Sequence, residues 1–314
     1  MKTGFIAVLI FFAAAAAGVP GLHAFQCEKA AVLGKNQVVL SEGLLYTKFS
    51  PVTEPKVFEE NPALTLNGIT ADHDIWDVPF EIRIGFTENF TFGISASYLC
   101  NIFNATGWVF ALGTYNFTSS GISGIGFKGL QRIIAEDSPV PGLSLLYGVS
   151  FPLGEDDYVA QDKNESFRMP LGDRGVTLSV IEAISRDLGW FALHLNLGYD
   201  LRLPYTQKKN WKGDAVSDRI LDPGDRFIYG AAFEWKWTGV SFIFEIDGCA
   251  CGNSTLDGAS IEGSGTHTVQ LIPGFNFSPG ASLTIEAGFK AAVLSRGANA
   301  EYFYGPVFRM EQKL

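Results

Sequence analysis

Residues Gly280–Lys290, which read GASLTIEAGFK, show most clearly a pattern that recurs along this chain. Every second residue in it is apolar, and the residues between are polar, charged or glycine. The apolar set is Leu283, Ile285, Ala287 and Phe289. Because successive side chains of a β-strand point to opposite faces, this alternation predicts a strand with one apolar and one polar face. Such a strand fits a soluble sandwich, whose apolar face meets a protein core, or a membrane barrel, whose apolar face meets lipid.

The composition indicates many short strands and argues against a nucleic-acid partner. The chain has 314 residues, of which 47% are hydrophobic, with 35 glycines and 26 phenylalanines. Beyond the N-terminus the hydrophobic residues are dispersed and form no run of transmembrane-helix length, which is typical of alternating strands. The formal net charge is -10, whereas phosphate binding needs a basic surface.

The N-terminus has the pattern of a secretory signal peptide. Lys2 precedes an apolar run over residues 5–17, and a helix-breaking tail ends at Ala24. The run is shorter than the roughly 20 residues that a spanning helix needs. We therefore predict cleavage after Ala24. Residues 25–61 are predicted to form a leader, either a plug inside a barrel or a periplasmic segment, and residues 62–314 to form the barrel itself.

Period-two segments recur along the rest of the chain and predict twelve strands. They cover residues 62–70, 77–87, 89–100, 122–134, 142–152, 175–185, 189–201, 225–236, 239–247, 266–277, 281–291 and 300–309. The predicted fold class is an all-β, up-and-down antiparallel transmembrane β-barrel of about 12 strands.

The connections between these strands alternate in length. Tight turns at 87–89, 187–189, 238–239 and 278–280, with a slightly longer one at 136–141, alternate with polar segments at 101–121, 153–174, 202–224 and 248–265. In an up-and-down barrel all the short turns then lie at one end. Outer-membrane barrels have short periplasmic turns and long outside loops. A soluble sandwich has no reason for this alternation.

Aromatic residues flank the short turns, where an interfacial girdle belongs. They are Phe86, Phe90, Trp190, Trp235, Trp237 and Phe277.

The polar faces carry many charges of both signs, which would be costly in a packed core but ordinary around a lumen. We predict that these side chains line the lumen: Glu81, Arg83, Lys128, Arg132, His194, Asp200, Arg226, Glu234, Lys236, Glu245, Glu286, Lys290 and Glu301. The apolar face of Gly280–Lys290 would then contact lipid. Barrels of about eight strands are filled by side chains and those of about sixteen enclose a channel, so twelve strands predict a narrow or partly plugged pore.

Three segments resemble a known family. They are EIRIGFTENFTFGISASYL at 81–99, GISGIGFKGLQRII at 121–134 and GLSLLYGVSFPLGEDD at 142–157. In these patterns the chain is similar to the outer-membrane β-barrel porins related to the phenol-degradation meta-pathway protein, over roughly residues 62–309. It departs from the family at Gly124, where an acidic residue is usual. The resemblance implies a barrel that moves small, often hydrophobic compounds across the outer membrane, and it supplies no catalytic residues.

The cysteines suggest a disulfide in an exported protein. Cys100 ends a predicted strand, and Cys249 and Cys251 fall in a predicted outside loop on the same side of the membrane. A bridge from Cys100 to Cys249 or Cys251 would clamp two loops over the mouth, provided that the loops fold inward. Asp247 and Asp257 lie near the cysteine pair, but the spacing matches no recognised metal site. We predict neither a metal nor a cofactor.

The function predicted from these features is a passive channel or facilitator in the bacterial outer membrane of a Gram-negative cell. The solute would be a small molecule, and hydrophobic molecules are included in that class. The expected partners are outer-membrane lipid and the barrel-assembly machinery. Two alternatives remain. One is an outer-membrane hydrolase or acyltransferase, in which His194 would act beside Ser144 or Ser241, although no motif selects such a pair. The other is a secreted soluble all-β domain.

Overall fold

Twelve antiparallel strands form a closed barrel in the computed structural model. It describes residues 31–52, 56–57, 65–66, 70–107, 113–137, 139–153, 159–161, 166–168, 175–209, 215–262, 264–297 and 302–314. The barrel strands are β1 (Val38–Val52), β2 (Thr70–Thr87), β3 (Phe90–Gly107), β4 (Gly113–Ile134), β5 (Gly142–Pro152), β6 (Thr177–Asp187), β7 (Phe191–Arg202), β8 (Arg226–Trp237), β9 (Val240–Cys251), β10 (Thr266–Phe277), β11 (Leu283–Arg296) and β12 (Phe303–Lys313). Each strand pairs with its neighbours in sequence, and β12 pairs with β1, which closes the wall.

The outer surface of the barrel is apolar, and β7 shows this most clearly. Its burial alternates residue by residue, with Ala192, His194 and Asn196 buried on the inside. The exposed members are Leu193, Leu195, Leu197, Tyr199 and Leu201. A soluble sandwich buries its apolar face and exposes its polar one. The reverse arrangement seen here is that of a barrel surrounded by lipid.

The predicted count of twelve strands is confirmed, but the start of the barrel is earlier than predicted. The first strand is Val38–Val52, inside the segment predicted to be a leader, and not residues 62–70. Within 62–70, Thr65–Leu66 pairs with Lys56–Val57 in a short ribbon, and Thr70 begins β2; the other residues lie outside the described part of the chain. The period-two signal in β1 is weak because Leu45 faces inward and Glu42 outward, so neither face is uniformly apolar.

Two further predicted boundaries are wrong. The predicted loop at 101–121 is largely strand, since β3 has 18 residues and β4 has 22, and the two pair as far as Gly107 and Gly113. The last strand continues past 309 to Lys313. Both errors arise where polar residues occupy positions that the barrel wall continues to pair, because backbone hydrogen bonding rather than hydrophobicity defines a strand.

Aromatic side chains gather at the short-turn end, as predicted. Trp190 and Trp235 have ring centroids 5.5 Å apart, and those of Trp235 and Trp237 are 6.1 Å apart. Phe86 and Phe90 flank the β2–β3 turn at 6.3 Å. All except Phe90 belong to the exposed large hydrophobic residues, which is the position of an interfacial girdle.

At the long-loop end, two connections fold together into a small four-stranded sheet. Its strands are Tyr205–Lys209, Ala215–Asp222, Thr255–Leu256 and Ala259–Ser260. Leu221, Leu256 and Ile261 form its core. The backbone N–H of Ile220 donates to Asp257 and, with the Arg219 guanidinium, holds the pKa of that carboxyl below its usual value. No helix in the described ranges is long and apolar enough to cross a membrane.

If the outer face of β7 lies in lipid, a charge at its middle will be costly. We expect Leu195→Arg, at a half-exposed outward position, to lower the free energy of unfolding by about 2–4 kcal/mol in lipid vesicles. The control is Leu188→Arg in the neighbouring short turn, which should cost about 0–1 kcal/mol because it lies at the interface. Urea titration in vesicles measures both values. Equal costs at the two depths would contradict the assignment of this face to lipid.

Candidate functional site

The inner wall of the barrel is the candidate site, because the polar face of every strand points there. The structure places twelve of the thirteen predicted lumen residues on this face: Glu81, Arg83, Lys128, Arg132, His194, Asp200, Arg226, Glu234, Lys236, Glu245, Glu286 and Lys290. Glu301 lies outside the described residues. Contact of these side chains with a solute stays a prediction.

Six charged side chains of alternating sign form a chain of ion pairs around half of the inner wall. We call this set the ion-pair belt; in order from β11 to β4 it comprises Glu286, Arg309, Glu311, Arg83, Glu81 and Lys128. It crosses adjacent strands β11, β12, β1, β2, β3 and β4. The alternation leaves the belt with no net charge.

The middle of the belt is held by one carboxylate. Glu311 accepts from Arg309 Nη2 at 2.6 Å and also pairs with Arg83 Nη2. The hydroxyl of Ser41, on the intervening strand β1, donates to the same Glu311 oxygen at 3.0 Å. Glu286 Oε2 lies 3.8 Å from Arg309 Nη1. One oxygen of Glu311 therefore ties β12 to β1 and β2.

The far end of the belt passes over β3, where a glycine makes room for it. Lys128 Nζ lies 2.8 Å from Glu81 Oε1, although β4 and β2 are not adjacent. Between them is Gly93, at which an added Cβ would lie 2.9 Å from Glu81 Oε1 and 3.1 Å from Lys128 Cγ. Any larger residue at this position would displace the ion pair.

Two belt residues, Arg309 and Glu311, escaped the sequence prediction. Glu311 lies beyond the predicted end of the last strand at 309, and Arg309, the last residue of that predicted strand, was not assigned to the lumen. The signal was present, since Val307, Arg309 and Glu311 continue the two-residue period.

The middle of the lumen is narrowed by side chains. Leu45, Ile243, Ile272 and Val307, from β1, β9, β10 and β12, form one buried cluster. Beside Leu45, Asp77 accepts a hydrogen bond from Ser97 Oγ at 2.6 Å. Lys290, on the inner face of β11, is 1% exposed. This packing agrees with the narrow lumen expected of twelve strands.

The short-turn end of the lumen holds part of the N-terminal segment. Val32 packs against Leu130 and Leu146, which both face inward. The Leu33 N–H donates to Thr91 Oγ1 at 2.8 Å, and the Asn36 N–H donates to the Gly85 carbonyl at 2.8 Å. Residues 31–37, which we call the N-terminal plug, therefore contact the inner wall at this opening through Val32 and Leu33, whereas Val38–Val52 of the predicted leader is barrel wall.

His194 contacts a different serine from those considered in the sequence. Its Nδ1 lies 2.8 Å from Ser185 Oγ, the directly opposite residue on β6, and its Nε2 lies 3.7 Å from Glu234 Oε2. A serine, a histidine and an acid thus meet on the inner wall. Ser185 is 6% exposed and lines a cavity at the short-turn end of the lumen together with His194 and Glu234.

The predicted disulfide from Cys100 does not form. Cys100 is paired with Trp76, whose ring is on the outer surface, so the Cys100 side chain faces outward. Cys249 and Cys251 occupy alternate positions on β9 and face the lumen, with their sulfurs 3.6 Å apart. All three are free thiols. The prediction was wrong because Cys100 lies on the same alternate positions of β3 as the exposed Ile94, and therefore on the outer face, whereas both cysteines of β9 face the lumen.

The same inner face continues to the long-loop end. There Arg226 Nη2 and Asp200 Oδ2 pair across β7 and β8 at 2.9 Å. In the described part of the chain, no group of three or more His, Cys, Asp or Glu side chains could hold a metal ion.

Comparison with solved structures shows the fold of outer-membrane β-barrels. The chain is similar to an outer membrane channel from Pseudomonas putida F1, with a TM-score of 0.65 and 12% identity over 91% of this chain and 98% of that chain. It is also similar to the transport unit of the autotransporter AIDA-I from Escherichia coli, with a TM-score of 0.53 and 12% identity over 89% and 91% of the two chains. No protein-family model matches the sequence, and no curated protein matches it.

The central place of Glu311 in the ion-pair belt can be tested by removing its charge. We expect Glu311→Gln to lower the free energy of unfolding by about 1–3 kcal/mol, because two half-buried arginines lose a shared carboxylate. The control is Glu262→Gln in an exposed loop, which should change stability by less than about 0.5 kcal/mol. Urea unfolding in vesicles measures both. A Glu311→Gln barrel as stable as the control would remove the belt from the forces that hold the wall.

Proposed function

We propose that this chain is an outer-membrane channel or facilitator for the passive passage of a small solute. One observation carries the proposal. A closed barrel with an apolar exterior encloses an inner wall of charged and polar side chains, many of them paired with one another. A polar inner wall inside an apolar exterior is what a path for a small solute across lipid requires.

The lengths of the connections between strands indicate how the barrel is oriented in the membrane. The short turns and both barrel ends, at Val38 and Lys313, lie at the same end of the wall, which we place in the periplasm. The long loops with their four-stranded sheet then face outside. Insertion of such a barrel would involve outer-membrane lipid and the barrel-assembly machinery.

The solute class is proposed to include small hydrophobic compounds. The similarity of residues 81–99, 121–134 and 142–157 to porins related to the phenol-degradation meta-pathway protein supports this, and so does the apolar cluster of Leu45, Ile243, Ile272 and Val307 in the lumen. We propose no enzymatic activity.

Liposome swelling tests the channel directly. We expect purified protein in liposomes to accelerate swelling in solutions of sugars, organic acids or aromatic compounds, compared with liposomes that contain the heat-unfolded protein. The rates should differ between solute classes, since a narrow lumen discriminates by size and polarity. Rates equal to those of the unfolded control for every solute would contradict a channel.

Replacing Glu286 of the belt and the buried Lys290 tests whether these side chains line the route that ions take through the lumen. We expect the double variant Glu286→Ala, Lys290→Ala to change ion selectivity in planar bilayers, because the inner wall loses both charges and Arg309 loses a carboxylate partner in the belt. The matched control, Arg219→Ala with Asp257→Ala, removes an exposed ion pair from the outside sheet. A conducting channel whose reversal potential is unchanged by the first pair would take Glu286 and Lys290 out of the pathway.

A further inference from the structure

A cavity of about 360 Å³ opens at the short-turn end of the lumen, beside the N-terminal plug. Its walls come from the inner faces of β4 to β8 and from Ala31 of the plug. The side chains that matter here are Arg132, Glu136, Asp187, His194, Glu234 and Lys236. The volume is in the range of about 300–1,000 Å³ that small-molecule sites occupy.

Most charges around this cavity already have partners. Lys236 Nζ lies 2.5 Å from Asp187 Oδ2. Glu136 accepts from the Asp187 N–H at 2.5 Å and lies 3.9 Å from Arg186 Nη1. The carboxylates of Asp187 and Glu136 are therefore engaged by groups at the rim.

Glu234 is engaged as well. Ser185 holds the His194 ring through Nδ1, which directs Nε2 toward Glu234 at 3.7 Å. When Ser185 donates to Nδ1, the ring proton is on Nε2 and faces the Glu234 carboxylate. These three residues form one unit on β6, β7 and β8.

Arg132 is the exception. Its guanidinium makes no hydrogen bond and no ion pair within the described ranges, although the side chain is half-buried and lines the cavity. A guanidinium presents a planar fork of donors that matches a carboxylate in two parallel hydrogen bonds. Ala135 and Ala192 on the same cavity wall are small and leave room for an apolar body beside the charge.

We propose that Arg132 and this cavity form a binding site for a small organic acid, whose carboxylate pairs with the guanidinium while its apolar body lies against the alanines. This inference rests on the proposed function, since the acid would be a solute held at the periplasmic mouth. The proposed channel function does not by itself specify the chemical class of the solute, whereas this site selects organic acids.

Equilibrium dialysis tests the site without requiring passage. The probe is radiolabelled benzoate, with detergent-solubilised protein on one side and uptake by empty micelles subtracted. We expect saturable benzoate binding to the wild type and a loss of affinity of about tenfold or more in Arg132→Gln. Arg132→Lys, which keeps the charge but not the fork, should lose less. The matched control Arg226→Gln removes a paired lumen arginine at the other end of the barrel and should change affinity by less than about twofold.

Two comparisons make the result decisive. Benzamide, the uncharged counterpart of benzoate, should bind the wild type about tenfold or more weakly. Inorganic phosphate should also bind weakly, because it lacks the apolar body. Absence of saturable benzoate binding to the wild type, equal affinity in the Arg132→Gln and wild-type barrels, or phosphate binding as tight as that of benzoate would each overturn the organic-acid site. Heat-dependent mobility on gels shows that each variant is a folded barrel.

Measuring both liposome swelling and benzoate binding with the same protein distinguishes failure of the acid site from failure of the channel function. If the wild type accelerates liposome swelling in glucose but binds no benzoate, only the acid site fails. If benzoate binds through Arg132 but the protein accelerates swelling in no solute, the channel function is contradicted and the acid site is supported.

Discussion

The structure depends on one constraint: within a bilayer every backbone N–H and C=O must find a partner in the protein. A sheet meets this requirement only when it has no edge, and here the pairing of β12 with β1 removes both edges. Nine residue pairs join β1 to β12, from Val39 with Lys313 to Phe49 with Phe303. Once the sheet is closed, alternate side chains face lipid and lumen. In Gly280–Lys290 the apolar residues therefore face lipid, and Glu286 and Lys290 face the lumen.

The narrowness of the lumen explains its charges. With twelve strands, side chains from several strands gather in one cluster, as Leu45 of β1 and Ile243 of β9 do together with Ile272 and Val307. Charged residues so confined are stable only when paired, and the ion-pair belt alternates in sign for this reason. Arg132 departs from this rule because it stands where the lumen widens into a cavity at the mouth.

Much of the architecture could be predicted from the sequence because lipid enforces the alternation strictly. Strands such as β7, with five exposed apolar residues at alternate positions, could hardly be missed. β1 was missed because Leu45 packs inward against other strands, a contact that no local pattern reveals. The inward direction of Lys128 and Glu81 was predictable, but their pairing across Gly93 depends on the register of three strands. The cysteine bridge failed because the alternation along β3 places Cys100 on the outer face with Ile94, while Cys249 and Cys251 face the lumen.

The central claim is that the apolar sides of the strands contact lipid. Cell fractionation followed by a urea wash of the membranes tests it most directly. The mature chain should remain in the outer-membrane fraction after the wash, require detergent for extraction, and migrate on gels as a heat-sensitive folded barrel. Recovery of the chain from the periplasmic fraction, soluble without detergent, would contradict the membrane barrel and favour a secreted all-β domain.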